Sequence, residues 1–144
     1  MDTRYLDTLP EIYNVYGAEL EYGEKVVFTA KLTSFTNERG TKHGWLNSLG
    51  VDSMFTMTNR KIVANNGVGI WTADIAEDII SCKKVDKKHL FYKDIYFEVL
   101  LNCEIIYQYD TKKMTGFHFY LMMKTHSGLK ILSVIFKQTG SITY

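Results

Sequence analysis

The side chains in this 144-residue chain that could do chemistry are four histidines, two cysteines, a short acidic run and one crowd of lysines. A metal site needs several His, Cys, Asp or Glu side chains at ligand spacing. His43, His89, His118 and His126 are scattered, and the eight residues from His118 to His126 cross an expected strand end. Cys82 and Cys103 stand alone, without metal spacing, and suit free thiols in a reducing compartment better than a disulfide. Hydrolysis or group transfer needs a nucleophile, a base and an orienting group. The chain has no G-x-S-x-G, no glycine-rich phosphate loop and no H-E-x-x-H. Asp74, Glu77 and Asp78 resemble a carboxylate pair, but at a strand end Asp usually shapes a turn. The expectation is a protein that is not an enzyme and uses no catalytic residue, no cofactor and no metal.

Charge offers a different kind of chemistry. The formal net charge is only +1, so no global field draws the chain to nucleic acid or to an acidic membrane. Locally, Lys83, Lys84, Lys87, Lys88, His89 and Lys93 bunch together around a single Asp86. Arg39 and Lys42, with His43, form a thinner group in the Gly-punctuated stretch 37–52, where Glu38 and Asp52 offset them. Such cations make charge-assisted hydrogen bonds to phosphate oxygens. Arg39, Lys42, Lys83, Lys84, Lys87 and Lys88 are therefore the candidate contacts for an anionic ligand or membrane surface. The lysines after Val85 serve equally well as a solvated connection between strands, or as guards of a sheet edge. No aromatic interleaving of the RNA-binding kind surrounds them, and no nucleic acid is expected. Trp45 and Leu46 could enter a bilayer interface or fold back on the core. Tyrosine is enriched in interface cores, and Tyr13, Tyr16 and Trp45 are the candidate interface aromatics.

These residues must be positioned by one domain. The length and a 46% hydrophobic content support a real core. The expected division is an N-terminal helix and lead-in over 1–22, then a globular unit over 23–144. The early acids and the lack of a long apolar run speak against a signal peptide or a spanning helix, so a cytoplasmic location is expected.

Thr8 and Glu11 form T-x-x-E, which predicts a helix over 9–16 ended by Gly17, with Leu9, Ile12, Tyr13 and Tyr16 on one face. Residues 24–35 alternate as a strand with one wet face, which means an antiparallel sheet. Residues 54–79 read as three short strands that reverse at Asn59-Arg60 and Asn66-Gly67. A further strand covers 79–85, with Ile80 and Cys82 on one side. Alternation over 95–101 and 105–109 leaves Asn102-Cys103 as a tight turn, and Lys112-Lys113 marks the next, before a last strand over 117–123. Residues 127–140 are open to helix or strand by pattern alone.

Gly23-Glu24-Lys25-Val26, then Thr58-Asn59-Arg60-Lys61-Ile62, then Asp74-Ile75 with Ile79 resemble the motifs of bacterial pleckstrin-homology-like and GRAM-like domains. That resemblance implies two antiparallel sheets packed near-orthogonally as a partly open barrel, a short N-terminal helix in front, and a C-terminal helix that closes one corner. It turns the open tail towards helix. In those families the loop after the first strand usually takes phosphoinositide headgroups, through more cations than Arg39 and Lys42 supply. The expected function is a non-catalytic interaction module that binds a protein or peptide, or self-assembles, through a sheet edge or barrel rim. The alternative is weak binding of an anionic lipid surface through a basic loop.

Overall fold

Period-two alternation of apolar side chains gives this chain strands, and the computed structural model describes them within residues 2–34, 53–65, 67, 69–88, 90–91, 93–107, 109–123 and 126–140. The order is α1 (Arg4–Thr8), β1 (Val26–Ser34), β2 (Ser53–Thr58), β3 (Lys61–Asn65), β4 (Gly69–Asp74), β5 (Ile79–Lys88), β6 (Lys93–Tyr107), β7 (Asp110–Met123) and α2 (His126–Gln138). All strand pairs are antiparallel, in the order β4-β3-β2-β1-β7-β6-β5. β4 also pairs with β6, so the sheet curls into a half-barrel with a small helix at each end of the chain.

One edge of β6 is shared. Its residues Glu104 to Tyr107 pair with β4, and its residues Lys93 to Leu101 pair with β5. β4 and β5 thus follow one another along β6, interrupted by the turn at 75–78. Asp74 and Asp78 build that turn. Asp74 Oδ1 accepts from the amides of Ala76 and Glu77, and Asp78 Oδ2 accepts from the Asp74 amide at 2.8 Å. These carboxylates shape backbone, as their position in the sequence indicated.

The concave face holds the core. Phe55, Met57, Ile62, Trp71, Phe97, Val99, Leu101, Ile105 and Leu121 are buried there. Among the described residues β1 meets β7 through two residue pairs, Leu32 with Met123 and Ser34 with Met122. Helix α2 adds Leu132, Ile135 and Phe136 to the core, and the Phe136 ring meets Phe97 edge-to-face at 5.2 Å. Gly140, at φ +72°, stops the helix in the left-handed region and donates to the Lys137 carbonyl. The tail is therefore helix, as the family resemblance implied.

Several expectations fail for identifiable reasons. Residues 9–16 are not helical; the helix lies earlier, at Arg4–Thr8. Leu9 precedes Pro10, whose ring disfavours the α region, and sits at φ −76°, ψ 145°. The Thr8 hydroxyl donates back to the Tyr5 carbonyl, closing a helix rather than opening one. Asn102-Cys103 is not a turn, because β6 runs straight through it. The Asn102 amide donates to the Asp78 carbonyl, and its side-chain oxygen accepts from the Gly116 amide at 3.1 Å. The irregularity lies opposite, where β7 carries one extra residue and Gly116 takes φ +69°. Lys112 and Lys113 stand within β7, and the chain reverses instead between the paired Tyr107 and Asp110. A register shift after Ile79 turns Ile80 to solvent, while Cys82 stays inside.

Candidate functional site

The family-like motifs meet in space. Glu24 carries a carboxylate whose side chain is 1% exposed. Its Oε2 accepts from the Thr58 hydroxyl at 2.5 Å, and its Oε1 accepts from the Glu21 amide at 2.9 Å. Lys61 Nζ stands 3.5 Å from Oε1 and donates to the Glu19 carbonyl. Burial pushes this carboxyl up, but the Thr58 hydroxyl, the Glu21 amide and Lys61 together hold it below the usual carboxylate range. Asn59 does the same work for the backbone. Its Oδ1 accepts from the Lys25 amide, and its Nδ2 donates to Asp7 at 3.0 Å. Lys25 Nζ donates to the carbonyls of Asp7 and Leu9 at the end of α1. The motifs therefore tie α1, the start of β1 and the β2–β3 reversal into one buried polar joint. Its polar groups are turned on one another, so the joint offers little to a ligand.

A groove of about 920 Å³ opens between the lead-in at Tyr16 to Glu21 and the outer face of β2, β3, β4, β6 and β7. Its walls mix Met54, Val63, Ile70, Ile106 and Met114 with Glu19, Glu104 and Lys113. Glu104 and Lys113 oppose one another across β6 and β7. Cys103 borders the groove, but burial, and then the charge of Asp78, push its thiol up to about 12. Burial alone does the same to Cys82. Neither is a thiolate at neutral pH, so neither is an activated nucleophile. Neither cysteine is in a disulfide. Among the described residues no group of three or more His, Cys, Asp or Glu could hold a metal ion, and no helix is long and apolar enough to cross a membrane.

The basic crowd stands elsewhere. Lys83, Lys84, Lys87 and Lys88 lie within β5, which ends the strand order, and not in a connection. Lys87 and Lys88 form one half of a two-stranded arm with the start of β6, whereas opposite Lys83 and Lys84 β6 is still paired with β7. Lys83 faces Glu98, Lys84 faces Phe97, Lys87 faces Asp94 and Lys88 faces Lys93. Past Cys82 the side chains of β5 leave the core, while β6 keeps Phe97 and Ile95 on it. Lys83, Lys84, Asp86 and Lys88 are exposed, Val85 is half-buried, and Ile95 is the last residue that packs on the core cluster. At the tip Leu90 and Phe91 are 87% and 91% exposed. Sequence reasoning had the lysines and missed this pair. The signal was available: an apolar dipeptide between lysines, at the point where strand alternation breaks down.

The other candidates are not brought to this arm. Tyr13 is exposed and Tyr16 half-buried, both on the lead-in, with Tyr16 lining the groove. Arg39, Lys42 and Trp45 lie outside the described residues. Set against known protein families, curated proteins and solved structures, the chain matches none.

Proposed function

We propose that this chain is a non-catalytic interaction module of pleckstrin-homology-like architecture, and that its working surface is the arm formed by β5 and β6. The architectural part is supported by the strand sequence, four strands then three, followed by a helix that packs Phe136 on Phe97. In this reading β1 to β4 form one sheet, β5 to β7 form the second, and the turn at 75–78 marks the corner between them. The meeting of Gly23-Glu24-Lys25 with Thr58-Asn59-Arg60-Lys61 gives the shared motifs a structural purpose.

The observation that carries the functional part is the tip. Two consecutive large apolar residues stand almost fully in water there, while the chain buries comparable side chains such as Phe97 and Leu101 completely. Exposed apolar surface framed by charge marks contact with something else. A photo-crosslinking residue in place of Phe91 tests this in cells. Covalent adducts from position 91, and none from the exposed Glu77, are the expected result. Adducts that are absent from both positions, or equal at both, would overturn the arm as the working surface.

A further inference from the structure

We infer that the partner of this arm is a second copy of the same chain, with Leu90 and Phe91 of one copy seated in the groove between the lead-in and the outer sheet face of the next. The inference rests on the reading of the arm as the working surface and names what that surface meets. The arm holds its apolar pair in water, and the groove offers a recess for it. The groove floor includes one cross-strand row of Met54, Asn65, Ile70 and Ile106, and Met114 adds to the lining. Ile106 and Met114 are 39% and 36% exposed, so this face also keeps apolar surface uncovered. The two methionines are flexible and can adapt to an incoming side chain. At about 920 Å³ the groove has room for two large side chains.

Charge gives the contact a direction. Five carboxylates, among them Glu19, Asp74 and Glu104, line the groove against two lysines, a net −3. Just outside the lining, Arg60 stands 3.6 Å from Glu21 and Glu24 stands 3.5 Å from Lys61, so these flanking charges cancel. Residues 83–98, the arm and the strand lengths that lead to it, hold five lysines against three carboxylates, a net +2 with His89 neutral. Of these lysines, Lys83, Lys84 and Lys88 are exposed. The two charges lie towards opposite ends of β6. Lys93 begins the strand beside the arm, and Glu104 of the groove lies about 36 Å further along it. The arm therefore cannot fold back into its own groove. It can reach only another copy's, in a head-to-tail contact where each copy gives one arm and accepts one. A basic end and an acidic end on one strand, in a chain of net charge +1, favour that alignment over arm against arm.

The test is sedimentation velocity of the purified full chain over a range of concentration and salt. The average mass should climb above that of one chain as concentration rises, and about 0.5 M NaCl should weaken the association by screening the paired charges. Leu90→Ser/Phe91→Ser removes the apolar pair of the arm, and Glu19→Lys/Glu104→Lys reverses two carboxylates of the groove. Each should weaken self-association about tenfold or more. All four side chains are exposed, so circular dichroism should show both variants folded. Mixed in equal amounts, the two variants should form a dimer and nothing larger, because one supplies the arm and the other the groove. A parent chain that stays monomeric at its highest soluble concentration, self-association that survives the groove variant, or a mixture that stays monomeric would overturn the second copy. If the parent is monomeric and position 91 still crosslinks in cells to another protein or to lipid, the second copy fails while the arm stands as the working surface. If it crosslinks to nothing, both readings fail.

Discussion

Two of this molecule's hairpins use their lysines in opposite ways. At the β2–β3 reversal, Lys61 is turned inward. Its ammonium donates to the Glu19 carbonyl and stands 3.5 Å from the buried Glu24 carboxylate. At the β5–β6 reversal, Lys88 faces Lys93 across the strands, and the residues between them include Leu90 and Phe91 in nearly full exposure. The first hairpin answers its own polar groups and so belongs to the fold. The second holds Leu90 and Phe91 out in water, where the fold does not use them. A basic run alone does not separate the two cases; what the neighbouring chain does with it decides.

The sharpest way to break this comparison is to remove Glu24. Glu24→Ala strands the Thr58 hydroxyl and the Glu21 amide inside the joint and should cost about 3 kcal/mol, read as a lower urea midpoint at unchanged slope. Asn59→Ala removes two hydrogen bonds between segments distant in sequence and should cost about 2 kcal/mol. Gly23→Ala forces a side chain onto a backbone at φ +81° and should cost about 1 kcal/mol; Arg60 Nη2, 3.6 Å from the new methyl, leaves room for it. At the other hairpin, Leu90→Ser/Phe91→Ser should leave the urea midpoint unchanged within about 0.5 kcal/mol, since neither side chain is buried. A loss there as large as at Glu24 would erase the distinction.

pH sharpens the same contrast. The Glu24 carboxyl is held below its ordinary value in the folded chain and titrates near about 4.3 in the unfolded one. The folded state therefore binds fewer protons at this group, and its stabilisation is complete above that ordinary value. It is lost as pH falls through the lower folded value. Urea midpoints measured from pH 6 to pH 3 should fall less steeply for Glu24→Gln than for the parent chain.

What the sequence discloses follows the range of the interactions. The reversals at Asn59-Arg60 and near Gly67, and the alternation of β4, depend on neighbours in the chain and were legible. α2 was not, since pattern alone left residues 127–140 open to helix or strand. The bond from Thr58 to Glu24 spans 34 residues, so the motif was visible while its purpose was not. Asn102 reads as a turn residue because its side chain can satisfy local backbone. Here it satisfies Gly116 instead, 14 residues away, and the strand continues. The helix misplaced to residues 9–16 had a local answer, since Pro10 fixes Leu9 as extended. The arm was half legible: four lysines are conspicuous, whereas the exposure of Leu90 and Phe91 depends on where the core ends.

β6 gives the arm a mechanical character. Its fifteen residues run from Lys93, beside the tip, to Tyr107, where β4 grips one edge and β7 the other. An extended segment of that length spans roughly 50 Å. A pull applied at Phe91 along the strand direction therefore loads β5 and β6 together and puts the ladder bonds that hold β6 to β7 and β4 in shear, many at once, rather than unzipping them singly. A tether fixed at this point would strain the whole sheet before it peeled a hairpin away.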